Sequence, residues 1–171
     1  MIWNSAIGLA VALTVIGGAE INAQQADTAP GAPSDQGPLW LISCSNQADP
    51  AQLLCESSQS LIVAQGSQRL ATASFQRVAG QDRTQAVLTV PFGVSLAQGV
   101  TIAVDDAPVG TLTYDSCDGQ GCYAMGDVDA EWLQRMRDGT AMSASVTDRE
   151  GRQISLSFQL TGFTASEALM P

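Results

Sequence analysis

From Leu39 onward, apolar and polar residues alternate with a period close to two, the pattern of strands with one buried face. Leu39-Trp40-Leu41-Ile42-Ser43-Cys44 is a short apolar run fit for a buried strand, and Leu53 to Val63 reads as a second strand. In Arg69 to Val78, Leu70, Thr72, Ser74 and Gln76 share one face, and Ala71, Ala73, Phe75 and Arg77 share the other. Thr84 to Phe92 places Ala86, Leu88, Val90 and Phe92 together, and Gly80-Gln81-Asp82 supplies the turn before it. Val100, Ile102 and Val104 point inward, after which Asp105-Asp106-Ala107-Pro108 breaks the strand, because Asp and Pro favour turns. Val109 to Tyr114 resumes, and Cys122 to Met125 is another short candidate. Met142 to Val146 and Ile154 to Leu160 form a closing hairpin around Asp148-Arg149-Glu150-Gly151, where Gly151 can take a positive φ.

One segment departs from this period. Asp129 to Gly139 reads as a short helix, with Asp127 or Asp129 capping its start, Arg135 and Arg137 at its negative end and Gly139 at its stop. Trp132, Leu133 and Met136 form its apolar side, which would cover a sheet edge or close one end of a sandwich. About eight strands and one short helix make an all-β antiparallel β-sandwich. Trp40, Trp132, Phe92 and Phe163 are assigned to its core, and Gly162 to Leu169 reads as a short amphipathic tail packed on it, with recruitment of a partner as the alternative.

The N-terminal pattern is different again. Ala6 to Ala19 is apolar, broken only by small residues and one threonine, and Ile21 and Ala23 suit a signal-peptidase site with the cut after Ala23. As a helix the run spans only about 21 Å, short of the roughly 30 Å hydrocarbon core, so residues 1–23 read as a cleaved signal peptide and the mature chain has no integral span. Residues 24–37 are Pro-, Ala-, Gly-, Asp- and Gln-rich without a large apolar residue, and read as a flexible spacer. The folded domain then covers 38–171. The 171-residue chain has 17 acids, seven arginines, no lysine and no histidine, for a net charge of −10. Phosphate binding needs a basic face, so nucleic acid is not its partner.

The chemistry on offer is limited. An exported chain with four cysteines in two local pairs is read as disulfide-stapled, Cys44 with Cys55 and Cys117 with Cys122. The alternatives are a redox-active Cys117–Cys122 pair and a zinc site. Asp115 and Asp118 flank the second pair and disfavour thiolate, and neither pair has zinc spacing. Asp115, Asp118, Asp127, Asp129 and Glu131 offer oxygen ligands of the kind calcium takes, but not at EF-hand spacing; they read as solvated turns and a helix start. Without histidine, Ser-His-Asp and Cys-His catalysis cannot be assembled. No catalytic residue, cofactor or metal is assigned.

Several stretches, in order, resemble the invasion-associated locus B proteins of bacterial envelopes. They are Trp40-Leu41-Ile42-Ser43-Cys44 with Cys55; Val90-Pro91-Phe92-Gly93-Val94; Leu96 to Asp105; Tyr114-Asp115-Ser116-Cys117 with Gly121-Cys122; and Leu160-Thr161-Gly162-Phe163-Thr164-Ala165. The resemblance implies an exported protein, periplasmic or outer-membrane-associated, with an immunoglobulin-like β-sandwich. It maps no catalytic residue onto this chain. The family name records a link to host-cell entry. The chain departs from the family in having no lysine and a Pro/Ala-rich spacer before Trp40. The function these readings favour is a non-enzymatic envelope protein that binds another envelope or secreted protein, against an envelope thiol-redox factor using Cys117 and Cys122 or a small-ligand- or metal-binding module.

Overall fold

The computed structural model describes residues 39–63 and 68–171; the expected signal peptide and spacer lie outside them. Nine strands follow in chain order: β1 (Leu41–Ser45), β2 (Leu54–Val63), β3 (Gln68–Val78), β4 (Thr84–Val90), β5 (Val100–Val104), β6 (Ala107–Asp118), β7 (Gly121–Val128), β8 (Ala141–Thr147) and β9 (Gln153–Gln159). Helix α1 (Ala130–Asp138) joins β7 to β8, and helix α2 (Phe163–Glu167) ends the chain. The expected single helix is therefore joined by a second, formed within the C-terminal tail.

All pairings are antiparallel, in the order β1-β2-β3-β4-β7-β6-β5-β8-β9. Hydrogen bonding runs unbroken through all nine strands, so the layers over the core are the two halves of one curled sheet. The antiparallel, layered part of the immunoglobulin-like expectation is what this arrangement contains. The period-two residues point as their spacing dictates: Ala71, Ala73 and Phe75 of β3, Ala86, Leu88 and Val90 of β4, Ile102 of β5 and Phe158 of β9 meet in a single core.

The corner is turned by β6. Its first half, Ala107–Leu112, pairs with β5, and its second half, Thr113–Asp118, pairs with β7. Each half carries a register shift, which leaves Val109 and Asp115 without an opposite residue. Such bulges bend and twist a strand, and that is how one strand serves two layers. Pro108 lies inside β6 and ends nothing, because proline is tolerated beside a bulge. The break is confined to Asp105 and Asp106, whose φ values of 45° and 66° make the two-residue hairpin turn between β5 and β6. Asp105 fits there because its carboxylate accepts from the Thr140 hydroxyl at 2.7 Å and from the Thr140 and Ala141 amides.

Side chains stitch the sheet's two ends together. Gln59 of β2 donates its amide nitrogen to the Gln159 carbonyl at 2.9 Å and accepts the Gln159 amide at 3.0 Å, standing in for a strand partner. The Trp40 indole donates to the same carbonyl at 2.8 Å. Trp40, Phe75 and Phe163 form a ring triad with centroids 5.1–5.8 Å apart, which seats α2 against the open end of the curl.

Two burial expectations fail. Every residue of β1 is exposed, since β1 is an edge strand paired only with β2, and only Trp40 just before it enters the core. Phe92 is 62% exposed and belongs to no core cluster, because β4 ends at Val90 and Pro91 carries the chain out of the sheet. Helix α1 forms as expected. Asp129 is the residue that caps it, accepting from the Trp132 amide at 2.8 Å, and Trp132, Leu133 and Met136 are buried. Asp129→Ala should lower stability by about 1 kcal/mol. An unchanged urea midpoint would remove the cap from the account.

Candidate binding surface

The residues singled out for chemistry fall into separate places. Cys44 and Cys55 are direct cross-strand partners on β1 and β2, and Cys117 and Cys122 are direct partners across the β6–β7 hairpin; both pairs are bridged. In each bridge one cysteine is buried, Cys55 or Cys122, while Cys44 and Cys117 sit at the surface. The bridges staple two hairpins on the same half of the sheet.

The five acids considered for calcium do not converge. Asp127 pairs with Arg83 at 2.6 Å, Glu131 pairs with Arg135 one helical turn on, and Asp129 is the helix cap. Asp115 is the unpaired residue of its bulge. Asp118 accepts from the Gln120 amide at 2.8 Å and the Tyr123 hydroxyl at 2.9 Å. Those two bonds favour the ionised form and hold its pKa below the usual value, and the same contact raises the Tyr123 phenol.

The most buried charge is structural. Glu167 of α2 has a nearly buried carboxylate that accepts from Arg77 of β3 at 2.8 Å and from Arg137 of α1 at 3.0 Å. Burial pushes its pKa up, but the hydrogen bonds from Arg137 and Arg77 outweigh that and leave it lowered. With the 2.6 Å bond between the Ser57 and Ser166 hydroxyls, this clamp fixes the C-terminal helix on the sheet.

The feature best suited to contact another molecule is a notch between β3 and β4. Their ladder runs from Arg77–Thr84 to Thr72–Thr89 and stops. Beyond that point no ladder pairs Gln68–Ala71 with Val90, Pro91 and Phe92, and these residues line a groove of about 350 Å³. Leu70 is the extra residue of a bulge between β2 and β3, which re-aims its side chain. Leu70, Phe92 and Val63 line the notch, and all three are exposed. Arg69 reaches from β3 to the β6–β7 turn, donating to the Gln120 side chain at 3.1 Å. Apolar side chains of this size grouped around a concavity mark contact sites more often than solvated surface does.

Sequence reasoning missed this site by placing Phe92 in the core. The available signals were Pro91, which cannot donate to a ladder, and the position of Leu70 on the otherwise polar face with Thr72, Ser74 and Gln76.

The family model of the invasion associated locus B (IalB) protein matches residues 40–171. The chain belongs to the invasion associated locus B family. Relatives in that family include the invasion protein B homologues of Brucella abortus strain 2308 and of Brucella abortus biovar 1 strain 9-941. Each is 33% identical over 164 residues, covering 94% of this chain and 92% of the relative. The crystal structure of invasion associated protein B from Bartonella henselae shares the fold, with a TM-score of 0.67 and 21% identity over 77% of this chain and 90% of that one. The matched span takes in both disulfides and the notch, so these are parts of the family's domain in this chain. Among the described residues, no helix is long and apolar enough to cross a membrane.

Proposed function

We propose that this chain is an exported, invasion-associated envelope protein that works by binding another protein and carries out no chemistry of its own. The observation that carries the reading is the exposed Phe92 at the mouth of the β3–β4 notch, flanked by Leu70 and Val63. An aromatic left in water beside a concavity costs solvation that a partner recovers on docking. Support for export comes from the cysteine pairs and from the N-terminal apolar run with its expected cut after Ala23, and support for the invasion association comes from the names of the relatives. We place the mature protein in the periplasm or against the outer membrane.

The test is crosslinking and co-purification of the mature protein from native envelopes, with partners identified by mass spectrometry. Wild type should recover one partner near stoichiometrically, and Phe92→Asp should lower that recovery at least tenfold while the melting temperature stays put. Equal recovery by both proteins would move the contact away from the notch. Recovery of nothing by wild type would end the binding-module reading. N-terminal sequencing of the exported protein should begin at Gln24.

A further inference from the structure

We infer that the chain self-associates through β1, whose outer edge pairs antiparallel with β1 of a second copy about a two-fold axis at Ser43. The inference goes beyond the protein-binding reading above, which uses a different part of the sheet.

The first argument is the edge. β1 pairs with β2 through Leu41–Ser45 and stands first in the strand order, so its other side has no strand beside it. Among the described residues no loop or turn makes a backbone hydrogen bond to it either. A row of free N–H and C=O groups is a template for another strand, and folded chains commonly blunt it with charge, proline or a bulge. β1 has none of these. It reads Leu-Ile-Ser-Cys-Ser, it pairs with β2 without a register shift, and the Cys44–Cys55 bridge holds it in the sheet.

The second argument is burial. Leu41 is 61% exposed and Ile42 37%, and as neighbours in a strand they point to opposite faces. Both faces of β1 therefore present a large aliphatic side chain to water. The sheet's other edge is different. The exposed side chains of β9 are Gln and Ser apart from Ile154, and its last residue, Gln159, is already bonded by Gln59 and Trp40 of the same chain. The apolar, unsatisfied edge is β1.

The third argument selects a second copy as the occupant. The antiparallel register centred on Ser43 is the one that pairs all five residues. It sets Leu41 opposite Ser45 and Ile42 opposite Cys44 of the other copy. Each large side chain then meets a small one, so the strand is complementary to itself, and a two-fold contact closes on two copies. Charge agrees. The chain carries −10, yet Leu39 to Ala48 has no charged residue, so two acidic copies meet here without setting like charges opposite each other. A basic partner would find no carboxylate on this strand.

The notch stays free in such a pair. β1 lies beside Leu54–Ser58, whereas Val63 of the notch is at the far end of β2. The two-fold axis sends the two notches to opposite ends of the joined sheet, so the pair would bridge two partner molecules instead of gripping one.

The test is sedimentation velocity of the mature, disulfide-intact protein. Wild type should show a reversible monomer–dimer equilibrium at concentrations up to about 500 µM, since a five-residue strand pair buries less than a standard interface. The dimer fraction should rise with added salt, which screens the repulsion between acidic copies. Leu41→Lys and Ser45→Glu should each weaken dimerisation about tenfold or more, and Phe92→Asp should leave it unchanged. Leu41→Lys combined with Ser45→Glu should recover to within about threefold of wild type, because the new opposite charges face each other across the two-fold axis. Within one chain those positions are four residues apart along a strand, too far to pair, so recovery reports contact between copies. Unchanged melting curves confirm that each variant is folded, and Ser45→Glu serves if Leu41→Lys is not. A wild type that stays monomeric over the whole range, or single variants that dimerise as wild type does, overturns the inference. A double variant no stronger than either single one overturns the antiparallel register and the two-fold axis with it. Capture of an envelope partner through Phe92 would stand in each of these cases, since the notch does not depend on β1.

Discussion

Gly110→Ala should destabilise the protein by about 3 kcal/mol, roughly 10 °C in Tm, although it adds a single methyl group. Gly110 lies in the half of β6 that pairs with β5, directly beneath the indole of Trp132 on α1. A Cβ built there would sit 2.6 Å from Trp132 Cε3 and closer still to Cζ3. That is far inside van der Waals contact, and the ring has little room to retreat because Trp132 is 3% exposed and packed in the core. The methyl must therefore lift α1 or drive Trp132 off its rotamer. Gly119→Ala is the matched control: its added Cβ meets nothing within 4 Å, so the substitution should be close to neutral. Combining Gly110→Ala with Trp132→Leu should return part of the lost stability, giving a coupling of opposite sign to the single effects. Urea unfolding of wild type, Gly110→Ala, Trp132→Leu, the double variant and the Gly119→Ala control checks this. If Gly110→Ala melts with wild type, α1 does not dock on β6 through Trp132 and the helix placement is wrong.

Glu167→Ala should cost about 3 kcal/mol at neutral pH, because it removes the anion between Arg77 and Arg137 and leaves two partly buried guanidiniums facing one another. The figure sits at the low end for a broken buried pair because both arginines keep some solvent contact. The same residue gives a pH dependence. Its folded pKa lies below the ordinary glutamate value of 4.5, so the unfolded chain takes up the proton first as pH falls. The clamp's contribution is complete above that value and is lost as pH drops below it towards the folded pKa. Asp105, Asp118 and Asp148 also have lowered pKa values and contribute to the same acid limb, so the comparison must be with a variant. Glu167→Gln keeps an acceptor oxygen without the charge. It should be less stable than wild type at pH 7, and the gap should narrow at pH 3. A gap that stays constant over that range would mean the carboxylate's charge does not hold α2. Because α2 is anchored through Glu167, Phe163 and Ser166, its release should show as a lost near-UV aromatic signal before global unfolding.

Local chemistry wrote much of this protein directly into its sequence. Alternation at 71, 73 and 75, at 86, 88 and 90 and at 100, 102 and 104 determines which faces are buried, because a strand's side chains alternate strictly. Asp129 and the Trp132-Leu133-Met136 stripe determine the helix, and the short spacings of the cysteines determine which two hairpins can be stapled. The family's motifs, spread from Trp40 to Ala165, identify the chain without any coordinates. Other properties depend on residues far apart in the chain. Leu41-Ile42 reads as core but lies on an edge, and Phe92 reads as core but faces water, because burial depends on what covers a strand and not on the strand's own pattern. The tie from Gln59 to Gln159 spans 100 residues, and the clamp from Arg77 to Glu167 spans 90. The notch exists only because β3 and β4 part at Thr72–Thr89 while Gln120, from a distant turn, steadies Arg69. Such contacts have no periodicity to announce them, so only the folded chain decides them.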